Sequence, residues 1–400
     1  MAPWTIADIA DWLIDGARGA ASAEEFIAQL CERITETGIP LRRVGVFVRT
    51  LHPNIMGRSF VWRHGGKVET THAPHDIIDS DAYRTSPITD VYQTRKPVRH
   101  RIGTGEGLDR STFLRELHDE GATDYIAFPM VYTDGSMHAV TWTTSAPGGF
   151  TDNHIASLTS LVPAFTRVSE IRNLRRIATT LLDTYVGYRA GERILAGAIR
   201  RGSGDTINAI IWLSDMRGFS ALSDRVSSHK VVNLLNRYFD CQVPPITKYG
   251  GEVLKFMGDG LLAIFPVADS EFDQVSVFED VLKAAREARA NVEELNKARG
   301  PWSTDRVRFG VALHVGQVLY GNIGGGNRLD FTCIGHAVNL AARIERISGK
   351  VGRTILASED FAQYQLSEWE PVGEFSMAGF TARHRVLGLR DEIPYLTNAE

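Results

Sequence analysis

The sequence of 400 residues is 43% hydrophobic and 23% charged, which is typical of folded globular domains and excludes a disordered chain. Its length predicts two or three domains. The formal net charge of −4, without a dense cluster of Lys and Arg, argues against binding to nucleic acid. No apolar run approaches the roughly 20 residues of a membrane span, and the first residues lack the pattern of a secretory signal. We therefore expect a cytoplasmic protein without a membrane span.

Cysteines and histidines do not predict a metal site. Cys31, Cys241 and Cys333 are far apart, so we expect them to be small buried apolar residues in a reducing compartment. Several histidines of the N-terminal half lack a metal-ligand spacing and are predicted to have surface or structural roles. They include His52, His64, His72 and His75.

The first part of the chain predicts an α+β domain. Ile6, Ile9 and Leu13 have the spacing of one helix face, and Ser22 is placed as the N-cap of a second helix, with Glu25 three residues later. Four strand-like runs follow, separated by Gly, Pro and Asp: RVGVFVRT, SFVWRH, YIAFPMVY and MHAVTWTT. Helices before and after a group of strands are typical of the α+β class.

From about residue 153 to residue 200 the pattern is helical. Apolar residues recur at steps of three or four: Leu161, Phe165, Val168, Ile171, Leu174, Ile177 and Leu181. This spacing fits a seam that packs against a second copy of the chain, and it fits equally a single helix lying on its own domain. Residues 161–204 are therefore predicted to be a helical linker and a candidate coiled coil.

After residue 205 a second α+β unit is predicted. NAIIWLSD is a buried strand, GGEVLKFMGDGLLAIF a hairpin and FEDVLKAAREARANVEELNKAR an amphipathic helix. Strands in VRFGVALHVGQVLYGNIG and RLDFTCIG precede a helix in AVNLAARIERISG, which we expect to end at Gly349. Strands in PVGEFSMAGF and HRVLGL close this unit.

Two carboxylates of the second unit are candidate metal ligands. Asp259 follows a glycine in the hairpin, where an Asp-Gly turn needs no further function. Asp215 ends a predicted strand, where it can cap a helix or, because that strand can lie beside the hairpin, meet Asp259. Gly218 allows the backbone to approach a phosphate closely. Two carboxylates without His or Cys suit Mg²⁺, which carboxylates and substrate phosphates usually hold together.

A second polar set lies further along the chain. Asn339 and Arg343 are four residues apart on a predicted helix and therefore share one face, and Thr332 precedes them on a strand. Such residues are either solvated surface or the lining of a polar site.

Four segments, in this order, resemble the motifs of class III adenylate/guanylate cyclase catalytic domains. They are IIWLSDMRGFSAL, GGEVLKFMGDGLLAIF, ALHVGQVLYGNIG and RLDFTCIGHAVNLAARIE, within about residues 205–390. The resemblance implies a ferredoxin-like α+β domain that works as a head-to-tail homodimer with active sites between the subunits. It also implies that the metal ligands come from one subunit and the residues that contact the base, ribose and reacting phosphate from its partner.

The resemblance assigns roles to the loop after the first strand. Asp215, Asp259 and the backbone carbonyl of Met216 match the ligands of two Mg²⁺ or Mn²⁺ ions per active site. Gly218 and Phe219, in the same loop, are predicted to contact the substrate.

The resemblance also predicts the substrate. Lys255 and Thr332 match the two base-reading positions, Asn339 the residue that orients the ribose, and Arg343 the arginine on the reacting phosphate. A lysine ammonium only donates, which suits adenine N1 and opposes guanine N1–H, and a threonine hydroxyl can accept from the adenine amino group. The expected activity is conversion of ATP to 3′,5′-cyclic AMP and pyrophosphate.

Some residues depart from the family pattern and leave alternatives open. Ala378 stands where Lys or Arg commonly contacts the triphosphate, with Arg383 or Arg385 as candidate replacements, and His336 stands where Asp or Asn is frequent. The alternatives are a guanylate or mixed-specificity cyclase and a non-catalytic nucleotide-binding regulator. A diguanylate cyclase is disfavoured because the hairpin lacks the Gly-Gly-Asp/Glu-Glu-Phe signature.

Residues 1–160 resemble a GAF-type sensory domain, through the RVGVFV strand, the DVYQTRKPVRHRI segment and the helix that leaves the domain. This resemblance implies regulation by a ligand that the sequence does not identify. The predicted organisation is thus a GAF-like domain at 1–160, a helical linker at 161–204 and a cyclase domain at 205–390.

Overall fold

The computed structural model describes residues 3–267, 271–298, 306–326 and 328–395. The chain divides into two compact units, residues 1–181 and 182–400. Each unit contains both helices and strands, which confirms the predicted mixed α+β class. Across the described ranges, no helix is both long enough and apolar enough to cross a membrane.

The first unit is built on a six-stranded antiparallel sheet with the order β3-β2-β1-β6-β5-β4. Its strands are β1 (Arg43–Arg49), β2 (Gly57–Arg63), β3 (Glu69–Ala73), β4 (Val98–His100), β5 (Asp124–Val131) and β6 (Met137–Thr144). Its helices are α1 (Ile6–Ile14), α2 (Ala23–Glu36), α3 (Asp81–Arg84), α4 (Pro87–Thr94), α5 (Thr112–Asp119) and α6 (Asp152–Tyr185). Short 3₁₀ helices span His75–Asp79 and Ile102–Thr104.

Local sequence signals explain how the helices of this unit begin. The Glu25 N–H donates to Ser22 Oγ at 3.0 Å, which confirms the predicted N-cap of α2. Ile9, Leu13 and Phe26 are buried against the sheet, as the helical spacing of the apolar residues requires.

Helix α6 changes its surroundings along its length. Leu161, Phe165 and Val168 are buried in the core of the first unit. Ile171 and Leu174, at the next two positions of the same repeat, are 64% and 53% exposed. The first part of the apolar repeat therefore packs within the first unit. In its second part, Ile171 and Leu174 form an apolar surface that is exposed to solvent.

The second unit contains an eight-stranded sheet with the order β13-β14-β12-β10-β7-β9-β8, and β11 pairs with β10. Its strands are β7 (Gly204–Met216), β8 (Glu252–Met257), β9 (Gly260–Pro266), β10 (Phe309–Gly325), β11 (Arg328–Ile334), β12 (Ile355–Ser358), β13 (Trp369–Ser376) and β14 (Arg383–Leu389). Its helices are α7 (Tyr188–Leu195), α8 (Phe219–Ser223), α9 (Ser228–Asp240), α10 (Val243–Lys248), α11 (Glu271–Lys297), α12 (His336–Val351) and α13 (Glu359–Ala362), with a 3₁₀ helix at Gln363–Glu368.

Alternating residues of the central strands supply two separate cores. Trp212 and Leu261 belong to the core that includes α9, α10 and α11. Ile211 and Leu262, one position away on each strand, belong to the core that includes β11 and α12. A single-residue shift on these strands therefore moves a side chain from one core to the other.

Helix α12 ends later than the sequence predicted. It continues through Gly349 to Val351, and Gly352 caps it with φ +67°. The prediction of Gly349 as the end was wrong because Ile347 and Ser348 are buried and the helix packs on β10 through that turn. A Cβ at Gly349 would lie 3.5 Å from Arg217 Nε, an ordinary van der Waals distance, so this contact does not require a glycine.

Candidate active site

The hairpin of β8 and β9 brings Asp259 to the end of β7. Strand β9 pairs antiparallel with β7, and Ser214 lies opposite Leu261. Met257 pairs with Gly260, so the two loop residues are Gly258 and Asp259, and Gly258 has φ +67°. The expected Asp-Gly turn is therefore displaced by one residue, because glycine takes the left-handed position and leaves Asp259 a regular backbone.

The Asp215 and Asp259 carboxyl groups lie close together. Burial raises the pKa of Asp215, and the charge of Asp259 raises it further. Burial also raises the pKa of Asp259, while a hydrogen bond from the backbone of Met216 lowers it. Gly260 makes room for this arrangement, since a Cβ there would lie 3.2 Å from Asp215 Oδ1 and 3.0 Å from the Ser214 carbonyl oxygen.

This pair suits a hard divalent cation. Nowhere in the described residues do three or more His, Cys, Asp or Glu side chains form a group able to hold a metal. Two carboxylates are the protein ligands that Mg²⁺ commonly uses when substrate phosphates complete its coordination. The repulsion between Asp215 and Asp259 is the feature that a bound cation relieves.

The loop after β7 begins with a backbone turn. Gly218 has φ +71° and is exposed, and nothing lies within 4 Å of where its Cβ would be, so conformation alone explains the glycine. Phe219 begins α8 and is partly buried against the core that contains Trp212. Their predicted contact with substrate remains a prediction.

A β-bulge determines the face of the sheet on which the Lys255 side chain lies. In β8, Val253 pairs with Ala263 and Lys255 with Leu262, so the register shifts at Leu254. Without this shift Lys255 would lie opposite Leu261, whose side chain belongs to the core of α9 to α11. The bulge places it opposite Leu262, on the face of the sheet that β11 shares.

Lys255 accordingly reaches β11. Its Nζ lies 3.9 Å from Asp330 Oδ2. Thr332, two residues along the same strand and therefore on the same strand face, is buried, and its Oγ1 has no hydrogen-bond partner within the described part of the protein. The structure thus brings Lys255 together with the segment that carries Thr332, and Asp330 is a neighbour that the sequence did not indicate.

Asn339 and Arg343 lie one turn apart on α12, as predicted. Asn339 is exposed, and Arg343 is partly buried with an Nε that finds no hydrogen-bond partner among described groups. The neighbouring side of α12 carries Leu340 and Ile344 into a core of the second unit. This packing holds α12 in place, and the side of the helix that carries Asn339 stays exposed to solvent.

Arg217 is a residue that sequence reasoning missed. It follows Met216 directly, and its Nη2 donates to the backbone oxygen of Glu345 at 2.9 Å, to the Glu345 carboxylate and to Ser348 Oγ. Glu345 is 5% exposed, and burial raises its pKa while Arg217 lowers it. Arg217 therefore fastens the loop of Asp215 to α12. Because its partners lie 128 to 131 residues away, no local pattern could reveal this link.

The candidate replacements for a triphosphate contact are engaged within the chain. Arg383 Nη2 donates to the Glu374 carbonyl at 2.9 Å, and Arg385 Nη1 donates to Glu359 Oε1 at 3.1 Å. His336, at the start of α12, packs edge-on against Phe380 with ring centroids 4.3 Å apart.

The fold and these residues define an α+β domain in which a carboxylate near the end of a strand pairs with one in the adjacent hairpin loop, and one helix carries an exposed Asn and a partly buried Arg. Residues 204–387 match the family model of the adenylate and guanylate cyclase catalytic domain. This part of the chain belongs to that family.

Known relatives agree with this assignment. The adenylate cyclase of Anabaena cylindrica is 30% identical over 165 residues, which cover 40% of this chain and 31% of that protein. The terminal-differentiation-specific adenylate cyclase of Dictyostelium discoideum is 31% identical over 158 residues, 39% of this chain and 7% of that protein. The match thus spans less than a third of each relative.

Among solved structures, a bacterial light-regulated adenylyl cyclase is 25% identical, with a TM-score of 0.41, and the match covers 46% of this chain and 91% of that one. The guanylyl cyclase Cya2 is 27% identical, with the same TM-score of 0.41, over 46% of this chain and 93% of that chain.

Proposed function

We propose that this protein is an adenylate cyclase that converts ATP to 3′,5′-cyclic AMP and pyrophosphate at sites between two copies of the chain. The observation that carries the proposal is the close approach of Asp215 and Asp259 within a domain of the cyclase family. The resemblance to proteins named adenylate cyclases supports ATP as the substrate.

Asp215, Asp259 and the Met216 carbonyl would hold two divalent cations. Such ions, Mg²⁺ or Mn²⁺, neutralise the triphosphate and acidify the ribose 3′-hydroxyl. Arg343 offers planar donors to the charge that grows on the reacting phosphate, and Asn339 orients the ribose so that its hydroxyl faces phosphorus. Gly218 and Phe219 shape the phosphate side of the site. These residues position and stabilise, and no protein general base is needed.

Base selection is assigned to Lys255 and Thr332. The Lys255 ammonium donates to adenine N1, and Thr332 Oγ1, which lacks a partner among the described residues, accepts from the adenine amino group. Asp330, 3.9 Å from Lys255 Nζ, keeps that ammonium directed at the base. Guanine presents N1–H to a lysine, and two donors facing each other exclude it.

Exchanging the base-reading residues is expected to reverse nucleotide preference. Lys255→Glu with Thr332→Cys replaces a donor by an acceptor, so the ratio of the GTP rate to the ATP rate should rise at least about tenfold. Because the new carboxylate would meet Asp330, the variant is made with and without Asp330→Asn, which removes the repulsion. Initial rates of cyclic AMP and cyclic GMP formation with Mg²⁺ and with Mn²⁺ measure the outcome.

The alternatives predict other results in the same assay. Equal rates from both nucleotides in the wild-type protein would favour a mixed-specificity cyclase, and faster cyclic GMP formation a guanylate cyclase. Absence of product from either nucleotide with either cation would indicate a non-catalytic nucleotide-binding regulator.

We further propose a homodimer regulated by a GAF-like domain at residues 1–160 through the helical linker at 161–204. Ile171, Leu174, Ile177 and Leu181 follow one another on α6 at steps of three, three and four residues, a spacing that fits a seam with a second copy of the chain. Ile171 and Leu174 are more than half exposed, which is unusual for large apolar side chains at consecutive positions of a repeat.

Replacing this seam is expected to weaken self-association and to change the cyclase rate. Ile171→Gln with Leu174→Gln removes apolar surface that a second copy would cover, while the folded unit loses little because both side chains are exposed. Leu51→Gln is the matched control, since Leu51 is 64% exposed, as Ile171 is. Sedimentation velocity and initial rates are measured together, and unchanged values for both would rule out the seam.

A further inference from the structure

A concave groove lies on the face of the first unit's sheet that packs against α2 and α6. Its volume is about 710 Å³, within the range of roughly 300–1,000 Å³ typical of small-molecule sites. Its walls are the start of α2 and the second half of α6, and its floor is apolar, from Val46, Val48 and Phe60 of the sheet. All of its lining residues are described and lie in one unit.

The groove is strongly basic. Four arginines line it against a single carboxylate, that of Glu24, and they are Arg58, Arg172, Arg175 and Arg176. We call it the arginine groove. One carboxylate cannot neutralise four guanidinium groups, so the groove attracts an anion.

Arg172 and Glu24 are already engaged and form the frame of the groove. Arg172 Nη2 donates to the carbonyl oxygen of Ala20 at 3.0 Å, which ties α6 to the connection between α1 and α2. Glu24 Oε1 accepts from Thr70 Oγ1 at 2.8 Å. Glu24 also lies near Arg58 and Arg176, so a ligand meets the three positive charges of Arg58, Arg175 and Arg176 against this one carboxylate.

Arg58 is the residue of the groove that most specifically indicates an anion site. Phe60 and Trp62, at the alternate positions of β2, point into the core under α2 and α6, and Arg58 shares their strand face. Its Nε is buried and finds no hydrogen-bond partner within the described part of the chain. Burial lowers the pKa of Arg58, the nearby charge of Arg176 lowers it further, and the carboxylate of Glu24 raises it. Two like charges held together above an apolar floor are stabilised by an anion between them.

The groove and the seam share Ile171 but otherwise lie on different sides of α6. Successive helical residues turn by about 100°, so Arg172, Arg176 and Thr179 lie on one side of α6 and Leu174, Ile177 and Leu181 on another. A second copy packed along the seam would therefore cover Ile171 and leave the side of α6 that carries Arg172 and Arg176 open.

We propose that the arginine groove binds an organic anion, one carboxylate, phosphate or sulfonate group attached to an apolar body. The acidic group lies between Arg58 and Arg176, and the body lies on Val46, Val48 and Phe60. Because α6 forms one wall and continues out of the first unit, an occupant of the groove contacts the helix that leaves that unit. The proposal concerns binding and is independent of any cyclase activity.

A matched pair of probes tests the charge requirement. 1-Anilinonaphthalene-8-sulfonate is an anion with an aromatic body, and N-phenyl-1-naphthylamine has the same body without the sulfonate. With the full chain, the sulfonate should bind saturably to one site and at least about tenfold more tightly than the neutral probe, as expected for charge-assisted hydrogen bonds. Fluorescence titration measures both affinities.

Variants locate the site. Arg58→Gln and Arg176→Gln should each weaken sulfonate binding about tenfold or more, whereas Arg110→Gln, an exposed arginine elsewhere in the same unit, should leave it unchanged. Thermal unfolding of each variant verifies that the protein is folded under the conditions of the titration. If Arg58→Gln fails to fold, Arg176→Gln, on the surface of α6, still gives the answer.

Two results would overturn the proposal. Equal sulfonate affinity in the wild-type protein and the folded arginine variants would place the probe elsewhere. Arginine variants that change self-association in sedimentation velocity but not probe affinity would assign the groove to a second copy of the chain.

Discussion

Asp259→Asn is expected to lower the rate of cyclic AMP formation by about a hundredfold to a thousandfold, because the variant loses half of the carboxylate charge available to the two cations. The folded protein should not be destabilised, because the substitution removes the repulsion that raises the pKa of Asp215. Loss of activity with unchanged or increased resistance to urea is therefore the expected combination. Initial rates across a range of Mg²⁺ and Mn²⁺ concentrations, with urea unfolding of the same preparations, measure it.

Asp224→Asn is the control for this experiment, since Asp224 is exposed at the end of α8 and faces no carboxylate partner in the proposed site. It should retain the wild-type rate. An Asp259→Asn protein that turns over at the wild-type rate with the same cation requirement would contradict the assignment of Asp259 as a metal ligand.

In the first unit the sequence predicted the four inner strands and missed the two edge strands, and in the second unit it missed the buried strand β12. Four runs of β-branched and aromatic residues became β1, β2, β5 and β6. Strands β3 and β4 were missed because they lie at the two edges of the sheet, where the exposed polar segment ETTHA and the three residues VRH carry no apolar alternation. These two strands depend on their neighbours for pairing, and their own residues show little strand pattern.

The candidate site was predictable where spacing is local. Asn339 and Arg343 are four residues apart on a helix, and the hairpin that carries Asp259 follows from its glycines. The geometry that depends on register was not predictable. The bulge at Leu254 decides which core Lys255 faces, and no residue of GGEVLKFMGDGLLAIF indicates it.

Long-range contacts were equally hidden. Arg217 reads as an ordinary loop residue, and Glu345 and Ser348 read as a polar stripe on a helix end. Their meeting depends on β7 pairing with β10 and on α12 packing over both strands. The packing of α12 on β10 also continues past Gly349, which resembles a helix terminator but lies inside the helix.

Arg217→Ala is expected to destabilise the second unit by about 3–5 kcal/mol, because Glu345 would remain buried without its partner. The rate should fall as well, by about a hundredfold, because Arg217 holds the loop of Asp215 in place on its own domain, and small misplacements of the metal ligands are costly. Lys248→Ala is the matched control. Its ion pair with Glu287 is exposed, so its loss should cost less than about 1 kcal/mol.

A double variant separates the two effects. Arg217→Met with Glu345→Leu replaces the buried pair by apolar side chains of similar size, which should restore most of the stability lost in Arg217→Ala. It cannot restore the directed hydrogen bonds to the Glu345 backbone and to Ser348, so kcat should remain low while KM changes little. Recovery of both stability and kcat in the double variant would show that Arg217 only supports the fold, whereas recovery of stability alone identifies it as a residue that positions the metal-binding loop on α12.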